Sequence, residues 1–168
     1  DPETLEKMSI GDTIDVRTQG QGMKLLDYPE ILLRNMSPAL LEKMNITEKD
    51  GKLTVGVAKI VPGCIMGSGL GASTSYYGDY DITLHDKQIC QQYGLDQLRF
   101  GDIVAIQDAD TRYGRNFITG AITIGVVVHS DCILSGHGPG VTTLMTCKTP
   151  LIEPVIDQSA NLADFFLK

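Results

Sequence analysis

Residues 121–129 read Ala-Ile-Thr-Ile-Gly-Val-Val-Val-His, and this stretch limits the fold more than any other. Side chains branched at Cβ lose rotamer freedom in a helix and pack well on a pleated surface. A strand apolar on both alternating faces has no side to give to water, so the run predicts a central, doubly covered strand. Residues 52–61 alternate, with Leu53, Val55, Val57 and Lys59 on one face, and residues 141–147 give a further strand. Residues 10–16 and 100–106 each enter a strand through a Gly-Asp pair. Short helices are expected over 39–44, with Ser37 as cap and Pro38 in the first turn, and over 86–93, between an Asp86 cap and a Gly94 stop. A last turn is expected at 161–166. Alternating strand–helix architectures need several helices of about ten residues or more, and no segment supplies them. The expectation is a mainly β fold, a barrel-like or sandwich-like sheet core with two or three short helices, with residues 1–168 forming a single β-rich domain.

Charge and cysteine usage narrow the partners. The chain of 168 residues carries 14 Lys and Arg against 21 Asp and Glu, a formal charge of −7. Such a surface repels phosphate backbones, so no nucleic-acid partner is expected. The apolar runs are too short and interrupted to cross a bilayer, and no secretory leader opens the chain, so no membrane partner is expected. Cys64, Cys90, Cys132 and Cys147 form no CxxC pair. They are too scattered for a disulfide framework and predict free thiols in a reducing cytoplasm. The chain opens on Asp1 rather than a methionine and close to a predicted strand, which suggests a piece of a longer protein.

The chemistry concentrates in loops that leave strands. Asp79 and Asp81 stand two residues apart beside Gly78, with His85 beyond them. That spacing in a strand puts both carboxylates on one face, where they need a cation, an arginine or a shared proton. Asp108 and Asp110 repeat the pattern in a charged loop over 108–115 and offer hard oxygen ligands to a divalent ion. The plainer account of that loop is a polar turn held by Asp-to-backbone bonds and arginine ion pairs. Arg112 and Arg115 in the same loop are the candidates to clamp a substrate carboxylate or phosphate. His129 ends the central strand, a place suited to a ligand or base, or to an imidazole satisfied by a backbone carbonyl. His137 sits in Gly136-His137-Gly138-Pro139-Gly140. Glycine at that density costs chain entropy unless the backbone bends sharply or meets something closely. The loop is therefore a rigid mount for a catalytic imidazole, a tight turn between central strands, or a subunit contact. Gly67-Ser68-Gly69-Leu70-Gly71, followed by Ser73 and Thr74, has no helical pattern after it and no Walker lysine. It is a weak phosphate cradle or a lining of the same cleft as His137. Cys132 or Cys64 as a nucleophile is the remaining option.

Taken together, Met66-Gly67-Ser68-Gly69-Leu70-Gly71, Gly78-Asp79-Tyr80-Asp81-Ile82, Phe100-Gly101-Asp102-Ile103-Val104, Tyr113-Gly114-Arg115 and Gly136-His137-Gly138-Pro139-Gly140-Val141 resemble the DUF4438 family. The resemblance runs from about Ile10 to the C-terminus and is most specific over 120–129 and the His137 loop. It implies one β-rich fold in prokaryotic proteins longer than this chain, which corresponds to their C-terminal portion. The family carries no settled activity, so the resemblance assigns no role to any residue.

Two functions stay open on the sequence. In the first, a divalent metal ion held among Asp79, Asp81, Asp108 and Asp110 assists hydrolysis of a small polar molecule, with His137 or His129 moving the proton. Mixed oxygen and nitrogen ligands leave Zn, Mn, Fe and Mg as candidates. In the second, the chain is a non-catalytic small-ligand-binding or homo-oligomer-forming domain, with its carboxylates paired to Arg99, Arg112 and Arg115. The first requires at least three of the named side chains to converge.

Overall fold

A computed structural model describes residues 2–71, 75–132 and 134–167; Ser73 and Thr74 of the polar stretch lie outside them. In chain order the strands are β1 (Leu32–Leu33), β2 (Ile46–Lys49), β3 (Lys52–Val57), β4 (Lys59–Pro62), β5 (Met66–Gly69), β6 (Tyr80–Ile82), β7 (Ile103–Asp110), β8 (Asn116–Val127), β9 (Gly140–Cys147) and β10 (Ile152–Ile156). The helices are α1 (Pro2–Lys7), α2 (Pro38–Lys43), α3 (Lys87–Tyr93) and α4 (Leu162–Phe166). The larger sheet has the order β4-β7-β8-β9-β6-β5, with β1 added to β9, and curls into a half-barrel. The smaller sheet has the order β10-β3-β2. The mainly β class follows, with four short α-helices among the described residues where two or three were expected. No described helix is long and apolar enough to cross a membrane.

Strand β8 has β7 on one side and β9 on the other, both antiparallel. Its β-branched run is buried from Ala121 to Val127, as a doubly covered strand requires. Strand β7 shows the reason in its alternation. Ile103 and Ala105 face a core shared with Val55 and Val57 of the small sheet and with Met145. Val104 and Ile106 face a second core with Val61, Ile82, Val127 and Val141. Packing on both faces removes water from both sides and makes this hairpin a rigid frame for the loops at its ends.

The predicted caps form. The Ser37 hydroxyl accepts from the Leu40 amide at 3.1 Å with Pro38 in the first turn of α2. The Asp86 carboxylate accepts from Gln88 at 2.8 Å, and Gly94 closes α3 in the left-handed region. Other expectations are corrected. Residues 10–16 form no strand, and Ile10, Ile14 and Val16 are exposed. Alternation supplies a face, but a strand also needs a hydrogen-bonding neighbour, and no described residue provides one. Residues 52–61 are not one strand. The chain breaks at Ala58, whose amide donates to the Ile103 carbonyl at 2.7 Å, and passes from the small sheet to the large one. Asp108 and Asp110 lie in β7 rather than in a loop. The register shifts between Gln107 and Ala109, and Asp108 has φ 56. Its carboxylate accepts from the Gly120 amide at 2.8 Å, which offsets the cost of that backbone.

Candidate metal centre

Strand β6 lies between β9 and β5, and Asp81 stands opposite Gly140 in the β6–β9 register. Asp79 precedes it by two residues. His129 follows β8, where the Val128 amide donates to the Gly140 carbonyl at 2.9 Å. The loop bearing His137 is stitched down at two points. Its Gly136 carbonyl accepts from Ser68 at 2.6 Å, and its Pro139 carbonyl accepts from Ile82 at 2.9 Å. These backbone bonds bring the ends of β5, β6, β8 and β9 to one place.

Glycine makes that approach possible. A Cβ at Gly138 would strike the Ile82 carbonyl oxygen, and one at Gly67 would strike the Gly136 carbonyl oxygen. At Gly140 the obstacles are side-chain ends, Asp79 Oδ2 and His129 Nε2, so its hydrogen forms one wall of the site. Gly138 and Gly140 therefore serve close approach, and Gly136, with φ 80 and nothing within 4 Å of a Cβ, serves the bend.

The acidic and imidazole groups meet directly. His129 Nε2 lies 2.8 Å from Asp79 Oδ2 and 3.5 Å from Asp81 Oδ1. His137 Nδ1 lies 3.0 Å from Asp81 Oδ2. The Ser68 hydroxyl is 3.0 Å from His137 Nδ1 and 3.4 Å from Asp81 Oδ2. Ligating atoms of Asp79, Asp81 and His129 all fall within 4.8 Å of one another. Asp81 is only 4% exposed, so its charge has little water to stabilise it.

His129 is held in a particular tautomer. Its Nδ1 lies 2.8 Å from the Ser130 carbonyl and donates to it. That turns Nε2 toward the two carboxylates. A bare lone pair there would repel them, so the position calls for a proton or a metal cation on Nε2. The Ser130 carbonyl raises the His129 pKa most; burial opposes the shift, and the charges of Asp79 and Asp81 add to it. In metal-free protein the protonated pair then contributes stability that is complete below the ordinary value of 6.5 and is lost as pH rises through the higher folded value. Thermal melts of chelator-treated protein from pH 5 to 9 are expected to show this decline, and His129→Gln is expected to flatten it.

The remaining candidates lie elsewhere or are occupied. Asp108 and Asp110 sit at the other end of the β7–β8 hairpin from His129, since Ile103 pairs with Val126 while Asp110 pairs with Asn116. Asp110 is clasped by Arg112, with Nε at 2.8 Å and Nη2 at 2.9 Å, which matches the plainer reading of that loop. Arg115 reaches back toward the centre and donates to the Gly67 carbonyl at 3.2 Å, beside Ser68. His85 is exposed. No described hydrogen bond joins Cys132 or Cys64 to a histidine. Ser68 is the residue that sequence reasoning missed as a side chain. Its flanking glycines were the available signal, because they let β5 approach the His137 loop.

A cavity of about 510 Å³ opens beside the centre and shares His129 with it. Leu84, Leu95, Leu98, Phe100 and Val127 give it apolar walls, and Lys87 stands among them.

These features define a β half-barrel protein with an Asp-Asp-His cluster and a second histidine at one end of its large sheet. The chain belongs to the DUF4438 family. The family model described as "Domain of unknown function (DUF4438), C-terminal" matches residues 43–166, and "Domain of unknown function (DUF4438), N-terminal" matches residues 1–42. Among solved structures, "Crystal structure of TM1086" is similar with a TM-score of 0.80 and 47% identity, covering 87% of this chain and 51% of that one. The chain thus spans about half the length of that relative. No curated protein matches it.

Proposed function

We propose that Asp79, Asp81 and His129 bind a divalent metal ion, and that the centre hydrolyses a small molecule seated in the adjoining cavity. The observation that carries this reading is the convergence of three ligating atoms within 4.8 Å around a buried carboxylate. Two carboxylate oxygens and one imidazole nitrogen suit Zn, Mn, Fe or Mg. An ion held about 2.0–2.2 Å from each atom would take the place of the direct 2.8 Å contact between His129 and Asp79. Such an ion would polarise a carbonyl or phosphoryl group and make a water more acidic.

The protein's own groups do the rest. Gly140 keeps the wall of the site thin. The Ser130 carbonyl fixes His129 with Nε2 inward. His137, half-exposed and bonded through Nδ1 to Asp81, is the group placed to take a proton from the attacking water and return it to the leaving group. Ser68 orients that ring. The apolar walls favour a substrate with a polar hydrolysable group on an apolar body. Reduced cysteines, all four of them unpaired, are consistent with work in the cytoplasm.

The reading is tested by stripping the protein with chelator and assaying a panel of esters, lactones, amides and phosphate esters with Mn²⁺, Zn²⁺ or Mg²⁺ added back. Turnover that depends on metal, and falls about 100-fold or more in His137→Gln while metal stays bound, is the expected result. Metal-independent turnover, or turnover unaffected in His137→Gln, contradicts it.

A further inference from the structure

We infer a second ligand site, for a small organic carboxylate, around Arg34. It lies in a cavity of about 600 Å³ that shares no lining residue with the cavity beside His129. Arg34 is 8% exposed. Its Nη1 donates to the Leu33 carbonyl at 3.2 Å, and its guanidinium stacks on the Tyr76 ring at 3.9 Å. Its Nε is buried with no hydrogen-bond partner among the described residues. No described carboxylate pairs with it.

A buried charged N–H without an acceptor is expensive. The edge in question is the one that Arg112 offers to Asp110, where Nε and Nη2 hold the two carboxylate oxygens at 2.8 and 2.9 Å. In Arg34 the ring of Tyr76 covers the flat face, and Nε is covered as well, so a carboxylate gains that bidentate edge by displacing the side chains packed over it. The surroundings match. No described acidic residue lines this cavity, while Arg17 does so together with Arg34. Gln19, Gln21 and Ser37 offer neutral polar groups. Leu33, Met36, Leu40, Leu162 and Phe166 supply apolar lining. An anion with a short hydrocarbon body fits both parts. Inorganic phosphate satisfies only the first.

Isothermal titration of the 168-residue chain with hexanoate, and separately with inorganic phosphate, tests the site. Hexanoate is expected to bind saturably, and Arg34→Gln to weaken it at least about tenfold. Ser37→Asp covers the case in which Arg34→Gln fails to fold. Aspartate keeps the helix cap and places a competing carboxylate at the cavity, so it is expected to remove hexanoate binding while the melting temperature holds. Asp81→Asn is expected to leave hexanoate binding unchanged, which separates this site from the metal centre. Absence of saturable hexanoate binding, undiminished binding in folded Arg34→Gln or Ser37→Asp, loss of it in Asp81→Asn, or binding of phosphate in its place overturns the proposal.

Discussion

Asp81→Asn is expected to weaken divalent-metal binding by more than about 100-fold while the protein stays folded. Among the described residues Asp81 is the one joined to both imidazoles, through Oδ1 toward His129 and Oδ2 toward His137. Asparagine keeps its shape, so the β6–β9 pairing opposite Gly140 is retained. What it removes is a buried negative charge, the feature that sets this cluster apart from solvated surface carboxylates. Equilibrium dialysis against Mn²⁺ with elemental analysis reads the affinity, and circular dichroism reads the fold. Asp110→Asn is the matched control. It disturbs the Arg112 ion pair at the other end of the hairpin and leaves metal binding as it was. Equal affinity in Asp81→Asn and native protein would remove Asp81 from the ligand set.

Gly138→Ala is expected to destabilise the fold by about 3 kcal/mol, read as a lower urea midpoint. Its new Cβ meets the Ile82 carbonyl oxygen, a backbone atom of a strand paired on both sides. The collision cannot be relieved by a rotamer change, and the Ile82–Pro139 hydrogen bond lies next to it. Gly140→Ala gives the opposite pattern. The atoms nearest its Cβ are the ends of the Asp79 and His129 side chains, which can swing away. The stability cost is therefore small and the damage falls on metal binding. Similar losses of stability in the two variants would mean that the loop is only a turn.

Much of the frame was legible because short-range chemistry decides it. The β-branching of 121–127 specified the central strand, and Ser37-Pro38 and Asp86 with Gly94 specified two helices. Residues 10–16 misled because alternation carries no information about a partner strand. The break at Ala58 was hidden because an unbroken pattern of alternating residues can divide between two sheets. In the centre, the common face of Asp79 and Asp81 followed from a period of two residues. Their meeting with His129 and His137 depends on the β9–β6 pairing, which joins residues 140 and 81. No local signal encodes a contact over that separation. Asp108 and Asp110 carried the same local pattern as Asp79 and Asp81, and only the hairpin register separates the two pairs in space.

The metal centre is tested most directly by anomalous diffraction from crystals grown with Mn²⁺, with data collected on both sides of the manganese edge. A single strong peak in reach of Asp79, Asp81 and His129 Nε2 is the predicted result. Saturating Mn²⁺ with no peak there, and with His129 still bonded to Asp79, would show that the cluster is a plain ion pair.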